Sequence, residues 1–201
     1  MPAQSLVDRW LDRPDFARHR IRFPSWPWNG YIDPSPLEAA AKEIHGYGAL
    51  QLPLGIVTLQ WKELRQVLFK DQEITWEHLA ASCAIPLAYP QYKLNGQRYG
   101  DGGMLGALPI WAAIQMGATH IVAIDISPRL PAPVRYPLLA LKRWRTGNRP
   151  SAGNSDVVVV KIAATPPLGN WSAAISWNKD RARRYVDRGR ADAIAAWEAI
   201  S

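Results

Sequence analysis

Asp101 is followed directly by Gly102 and Gly103, and that tripeptide is the first place in this chain to look for chemistry. A carboxylate acts as a general base only on a proton within hydrogen-bond reach, so what matters is what is allowed to approach it. Two glycines after it remove the side chains that would keep backbone or a ligand at a distance. The other reactive residue types read as structural. Ser82 lacks a flanking glycine elbow and a base beside it, so it reads as a structural hydroxyl. Cys83, the only cysteine, excludes an internal disulfide framework and reads as a small inert residue in a packed turn. His120 has no second His or Cys at ligand spacing and reads as a strand-terminus residue. Asp125, ending an apolar run, reads as a structural hydrogen-bonding group before a site residue. The expectation is therefore no metal and no cofactor.

The elements around Asp101 are what must position it. Tyr89 to Leu94 alternates and is aromatic-rich, Asn95-Gly96 is a strong two-residue hairpin turn, and Gln97 to Tyr99 returns. This hairpin delivers Asp101 to a strand end. Beyond it, Pro109 to Met116 has helical spacing, with Pro109 suited to a first turn and Gly117 to the position past the last. His120 to Ile126 is a short apolar run that predicts a buried parallel strand, and Asp156 to Ile162, with four consecutive valines, predicts another. A carboxylate at that place in the chain matches where open α/β sheets put their chemistry.

Further along the chain, Ala81-Ser82-Cys83-Ala84-Ile85-Pro86, then Leu94 through Gly103, then Leu108-Pro109-Ile110 and Met116-Gly117-Ala118 form an ordered series. This series resembles the second half of a patatin-like phospholipase domain, with a looser match from Tyr31 to the closing helices. The resemblance implies an α/β three-layer sandwich with a mainly parallel sheet. It implies lipid or ester substrates and a Ser–Asp dyad in which Asp101 is the general base and Gly102 and Gly103 support the motif. In that family the nucleophile sits in a GxSxG elbow preceded by a Gly-rich oxyanion loop. Neither pattern occurs in these 201 residues. The expectation is thus an N-terminally truncated domain with no nucleophile of its own, and Asp101 alone does not perform acyl transfer. On this reading residues 1–30 are an irregular Pro- and Trp-rich connection and 31–201 are the C-terminal part of the domain.

Composition sets the outer limits. The length permits one domain with a sizeable core. No apolar run has the length of a signal peptide or a membrane span, which predicts a cytoplasmic or peripheral membrane protein. A net charge of +7 with ten tryptophans suits an anionic membrane surface, since indole rings prefer the interfacial layer. Nucleic acid is disfavoured, because no helix-turn-helix, zinc or RNP-type signature accompanies the charge. A sheet edge left bare by missing strands would pair with a missing N-terminal half or with another copy. The alternative to a hydrolase fragment is a non-catalytic lipid-surface or protein-interaction module.

The remaining segments complete the expected order. Ser35 is predicted to cap a helix running from Pro36 to about Ile44, with Glu38 completing a capping box. Leu52 to Gln60 and Arg65 to Phe69 predict two strands, and Thr75 caps a short helix to Ser82. A basic apolar helix is expected at 136–144 and a polar loop at 148–154. Two closing helices are expected on either side of Gly189.

Overall fold

The structure is a computed structural model that describes residues 3–12, 21–26, 29–48, 50–106, 108–126, 157–164 and 178–198. The helix expected at 136–144, the loop at 148–154 and the Pro-rich connection at 127–133 lie outside the described residues. The chain divides into two compact units rather than the single domain its length suggested. One holds Met1–Arg18, Thr119–Tyr136 and Asp156–Ser201, the other His19–Ala118 and Pro137–Ser155.

The unit that carries Asp101 is built on four strands: β1 (Gly55–Gln60), β2 (Arg65–Lys70), β3 (Tyr92–Leu94) and β4 (Gln97–Asp101), in the order β2-β1-β4-β3. Every neighbouring pair is antiparallel. The fold class is α/β as expected, but this sheet is not mainly parallel. Two short hairpins account for the difference, since a turn of a few residues can only return a strand antiparallel. Asn95 and Gly96 both take positive φ, +47° and +77°, the left-handed pair that a tight hairpin turn requires. Trp61 to Leu64 forms the other turn, with Leu64 at φ +47°.

One face of this sheet packs on helices α2 (Ser35–His45) and α3 (Trp76–Ser82). The alanines Ala80, Ala81 and Ala84 let α3 and the turn after it lie close to Tyr92 and Tyr99, with Val67 and Phe69 packed alongside. Small residues facing large aromatics suit close packing. Phe69 and His78 meet in a tilted pair at 4.2 Å between ring centroids, and Phe69 meets Tyr99 edge-on at 5.5 Å. The opposite face receives helix α4 (Ile110–Gln115) and Met116, whose sulfur lies against Gly55.

The helix starts show how local chemistry differs from the simplest sequence reading. Helix α2 begins at Ser35, but Ser35 does not cap it. Asp33 accepts from both the Ser35 amide (3.0 Å) and its hydroxyl (2.7 Å). Glu38 instead accepts from the Tyr92 hydroxyl at 3.2 Å, tying α2 to β3. Burial, with the Glu38 carboxylate adding to it, pushes the Tyr92 phenol pKa up, so Tyr92 remains a donor. Helix α3 does carry a capping box, with Thr75 as its cap and His78 in the place usually held by Glu or Gln. His78 Nδ1 accepts from the Thr75 amide at 3.0 Å.

The second unit contains α1 (Ala3–Leu11), β5 (His120–Asp125), β6 (Val158–Ala163) and α5 (Lys179–Glu198). Residues 3–11 were expected to be irregular and are helical. Strands β5 and β6 pair in parallel, from His120 opposite Val158 to Asp125 opposite Ala163. They were expected to be buried. Yet Val122, Ile124 and Val158 are more than half exposed, and of β5 and β6 only Ala123 is buried. Asn178 caps α5 by accepting from the Arg181 amide at 2.9 Å. The helix continues through Gly189 instead of splitting there, bridged by an Arg188–Asp192 pair one turn apart at 2.8 Å. A lone glycine weakens a helix by only about 1 kcal/mol, which a twenty-residue helix absorbs. Among the described residues no helix is long and apolar enough to cross a membrane.

His78 makes the stability of this unit depend on pH. Burial holds its pKa below the ordinary histidine value, the carboxylates of Glu77 and Glu73 opposing this only in part. A group that folds neutral contributes stability above its unfolded pKa and loses it as pH falls through that value. The midpoint of thermal unfolding should therefore fall as pH is lowered below about 6.5. His78→Gln, which keeps a side-chain acceptor for the Thr75 amide, should show a shallower decline over the same window. Equal slopes in circular-dichroism melts of the two proteins would show that His78 does not contribute.

Candidate functional site

Asp101 is the last residue of β4, and its position follows from two backbone constraints. It lies opposite Thr58 of β1. Its amide donates to the Ala84 carbonyl at 3.0 Å and so turns away from β1, bringing the turn after α3 against the strand end. Because β4 runs antiparallel to β1, Asp101 leaves the sheet beside the middle of β1 and not at that strand's carboxyl end. One carboxylate oxygen, Oδ1, accepts from the Gly103 amide at 2.7 Å. Among the described residues no ion pair to Asp101 occurs. The side chain is partly buried, and this loss of water raises the carboxyl pKa above its ordinary value, with the Gly103 amide opposing the shift.

The first glycine after Asp101 is required by space. Gly102 lies so close to β1 that a Cβ there would collide with the carbonyl of Val57 and crowd the Thr58 nitrogen. At Gly103 a Cβ would sit 3.0 Å from Asp101 Oδ1. Before the motif, a Cβ at Gly100 would press on the Trp61 indole, 2.8 Å from its Nε1. Residues 102–104 form a single 3₁₀ turn, and the Asp101 side chain caps it through Gly103.

Gln66 fastens this turn from the other side of the sheet. Its buried amide donates to the carbonyls of Gly102 (2.8 Å) and Gly106 (3.1 Å) and accepts from Trp111 Nε1 at 3.3 Å. One side chain of β2 thus holds both ends of the loop after Asp101 and the first turns of α4. The sequence reading did not single out Gln66. A glutamine among Val67, Leu68 and Phe69 in a strand is the signal that was there, because a polar amide in such a run needs buried partners.

The other sequence candidates are structural where they are described. Ser82 donates its hydroxyl back to the Leu79 carbonyl at 2.8 Å, so it closes α3. Cys83 follows it near Asp101. Desolvation, with the carboxylate adding to it and the Ser82 hydroxyl opposing, pushes the thiol pKa up, which disfavours the thiolate. Asp125 belongs to the other unit and pairs with Lys161 at 2.9 Å across β5 and β6. His120 lies 3.1 Å from the Thr119 hydroxyl. Among the described residues no cluster of metal-ligating side chains occurs.

A family model described as patatin-like phospholipase matches residues 2–114, a span that contains the four-stranded sheet, α2, α3, Asp101 and its glycines. That is more than half the chain, and the protein belongs to the patatin-like phospholipase family.

The geometry predicts two costs. Gly102→Ala should destabilise the chain by about 1–3 kcal/mol, because the clash is with backbone that cannot step aside. Gln66→Leu should cost about 1–3 kcal/mol through the two carbonyls and one indole donor it strands. Both act on one loop, so urea unfolding of the double variant should give less than the sum. Strict additivity would mean that Gln66 and Gly102 do not act as a unit.

Proposed function

We propose that this chain is the aspartate-bearing part of a patatin-like lipid acyl hydrolase, in which Asp101 serves as general base for a serine that these 201 residues do not supply in a GxSxG elbow. In the proposed reaction the serine hydroxyl attacks the ester carbonyl as its proton passes toward Asp101. Backbone amides of a Gly-rich loop, likewise not present in these residues, would hold the oxyanion. Membership of the patatin-like family supports lipid esters as the substrate class. The observation that carries the reading is the state of Asp101. It ends a strand, has one oxygen fixed by the Gly103 amide, and is followed by a glycine that only a bare backbone can fit. A raised carboxyl pKa suits a proton acceptor working near neutrality. Helices on both faces of the four-stranded sheet support the three-layer architecture of the complete domain, with 31–201 as its C-terminal part.

A second reading has one observation in its favour. Ile21 and Ile32 bridge, Arg22 and Tyr31 pair through backbone, and Tyr31 in turn bonds Leu87, forming a small ladder. This ladder and the residues beside it expose Ile21, Phe23, Trp26 and Leu87, with Phe23 at 95%. Aromatic rings of this kind beside an arginine suit a lipid interface, as a non-catalytic lipid-surface module would require.

The purified chain should give no turnover of a short p-nitrophenyl ester above that of Asp101→Asn. Turnover abolished by Asp101→Asn would show that a serine within these residues serves as nucleophile, and the proposal of a missing nucleophile would fall.

A further inference from the structure

We propose that the Thr58 hydroxyl is a positioning group for Asp101, donating its proton to the carboxylate oxygen that the Gly103 amide does not hold. The inference rests on Asp101 being the working carboxylate of the site. Thr58 is fully buried, and its hydroxyl oxygen has no hydrogen-bond partner among the described residues. A buried hydroxyl left without a partner is costly, so its position calls for an explanation.

The register supplies one. Thr58 and Asp101 are directly opposed across β1 and β4, and opposed residues point to the same face of a sheet. Trp61 donates its amide to the Arg98 carbonyl, and the ladder alternates from there. Together with the Asp101 amide turning to Ala84, this makes Thr58 and Asp101 a pair that exchanges no backbone hydrogen bonds. Such pairs bring Cα atoms within about 4.5 Å, the closest approach in an antiparallel sheet. A threonine hydroxyl at that spacing is within reach of an aspartate carboxylate.

Phe69 on β2 and Tyr99 on β4 flank β1 on the same face and meet edge-on at 5.5 Å, so their rings close over Thr58. A χ1 step between staggered rotamers turns the hydroxyl toward Asp101 and carries the methyl to another staggered position under the rings, so the bond to the carboxylate has to offset that repacking. The carboxylate would then be held by a backbone amide on one oxygen and a hydroxyl on the other, fixing its plane toward an incoming proton. Other ionisable groups on this face are Arg65 on β2, Tyr92 on β3, Tyr99 on β4, His78 within α3 and Cys83 after it. Of these, Cys83 feels the Asp101 charge, which helps to raise its pKa. The Asp101 midpoint is therefore read below the range where a thiol ionises.

The test is a titration of the Asp101 carboxyl carbon by NMR, with Asp101→Asn to assign the signal. Thr58→Val, which keeps the shape and removes the donor, should move the midpoint upward by about half a unit or more, because the charged form loses a hydrogen bond. Thr58→Ser should return it toward the original value. An unchanged midpoint in Thr58→Val, or a serine variant that titrates like valine, would overturn the proposal. Should the valine variant not fold, three-bond couplings to the Thr58 methyl in the unaltered chain report the rotamer directly. The hydroxyl should face Asp101 once the carboxyl is ionised, and a methyl facing it instead would overturn the proposal. None of these readings uses ester hydrolysis, so an Asp101 that proves to have no catalytic role would leave the result on Thr58 standing.

Discussion

Gly102 rests against the Val57 carbonyl with no room for a Cβ, and the rest of the site depends on that contact. It brings the chain after β4 across the side of β1. It sets Asp101 at the point where backbone leaves the sheet, and it carries the Gly102 carbonyl to the amide of Gln66. The Gly103 amide then falls within reach of the carboxylate two residues back. Steric fit, more than any ion pair, determines where this carboxylate lies.

Burial and hydrogen bonding act on Asp101 in opposite directions. Loss of water disfavours its charge, and the Gly103 amide favours it. The balance leaves a carboxyl that holds its proton more readily than an exposed aspartate does. Cys83 shares these surroundings and is shifted the same way, because a thiolate would meet both the desolvation and the carboxylate. The only cysteine is thereby biased toward its neutral thiol.

Local signals made much of this unit legible in the sequence. Asn95-Gly96 gave the β3–β4 hairpin because few other dipeptides tolerate two positive φ angles. Thr75 gave the start of α3, and the Pro109 and Gly117 pair bracketed α4. What escaped depends on partners distant in sequence. Gln66 meets Gly102 and Gly106 thirty-six and forty residues later, and no local pattern encodes that. The same holds for Glu38, whose spacing fits a capping box but whose carboxylate goes to Tyr92. Strand direction was misjudged because apolar runs such as β5 and β6 carry no information about how other strands pair. Continuity of α5 through Gly189 likewise depends on the whole length of the helix, not on the glycine.

Side chains alternate across a strand, so the alignment of β4 with β1 decides which helix Asp101 faces. A slip of one residue would turn Asp101 from the α3 side to the α4 side and bring Thr58 opposite a glycine. Short three-residue strands such as β3 resist slipping weakly, having few ladder bonds to break. The fit at Gly102 works as a mechanical stop. Displaced by one position along β1, the chain would bring Asp101 to the place that admits no side chain in one direction and Gly103, which fits there, in the other, so the stop acts in one direction. The motif that reads as chemistry in the sequence is therefore also the pawl that locks the sheet.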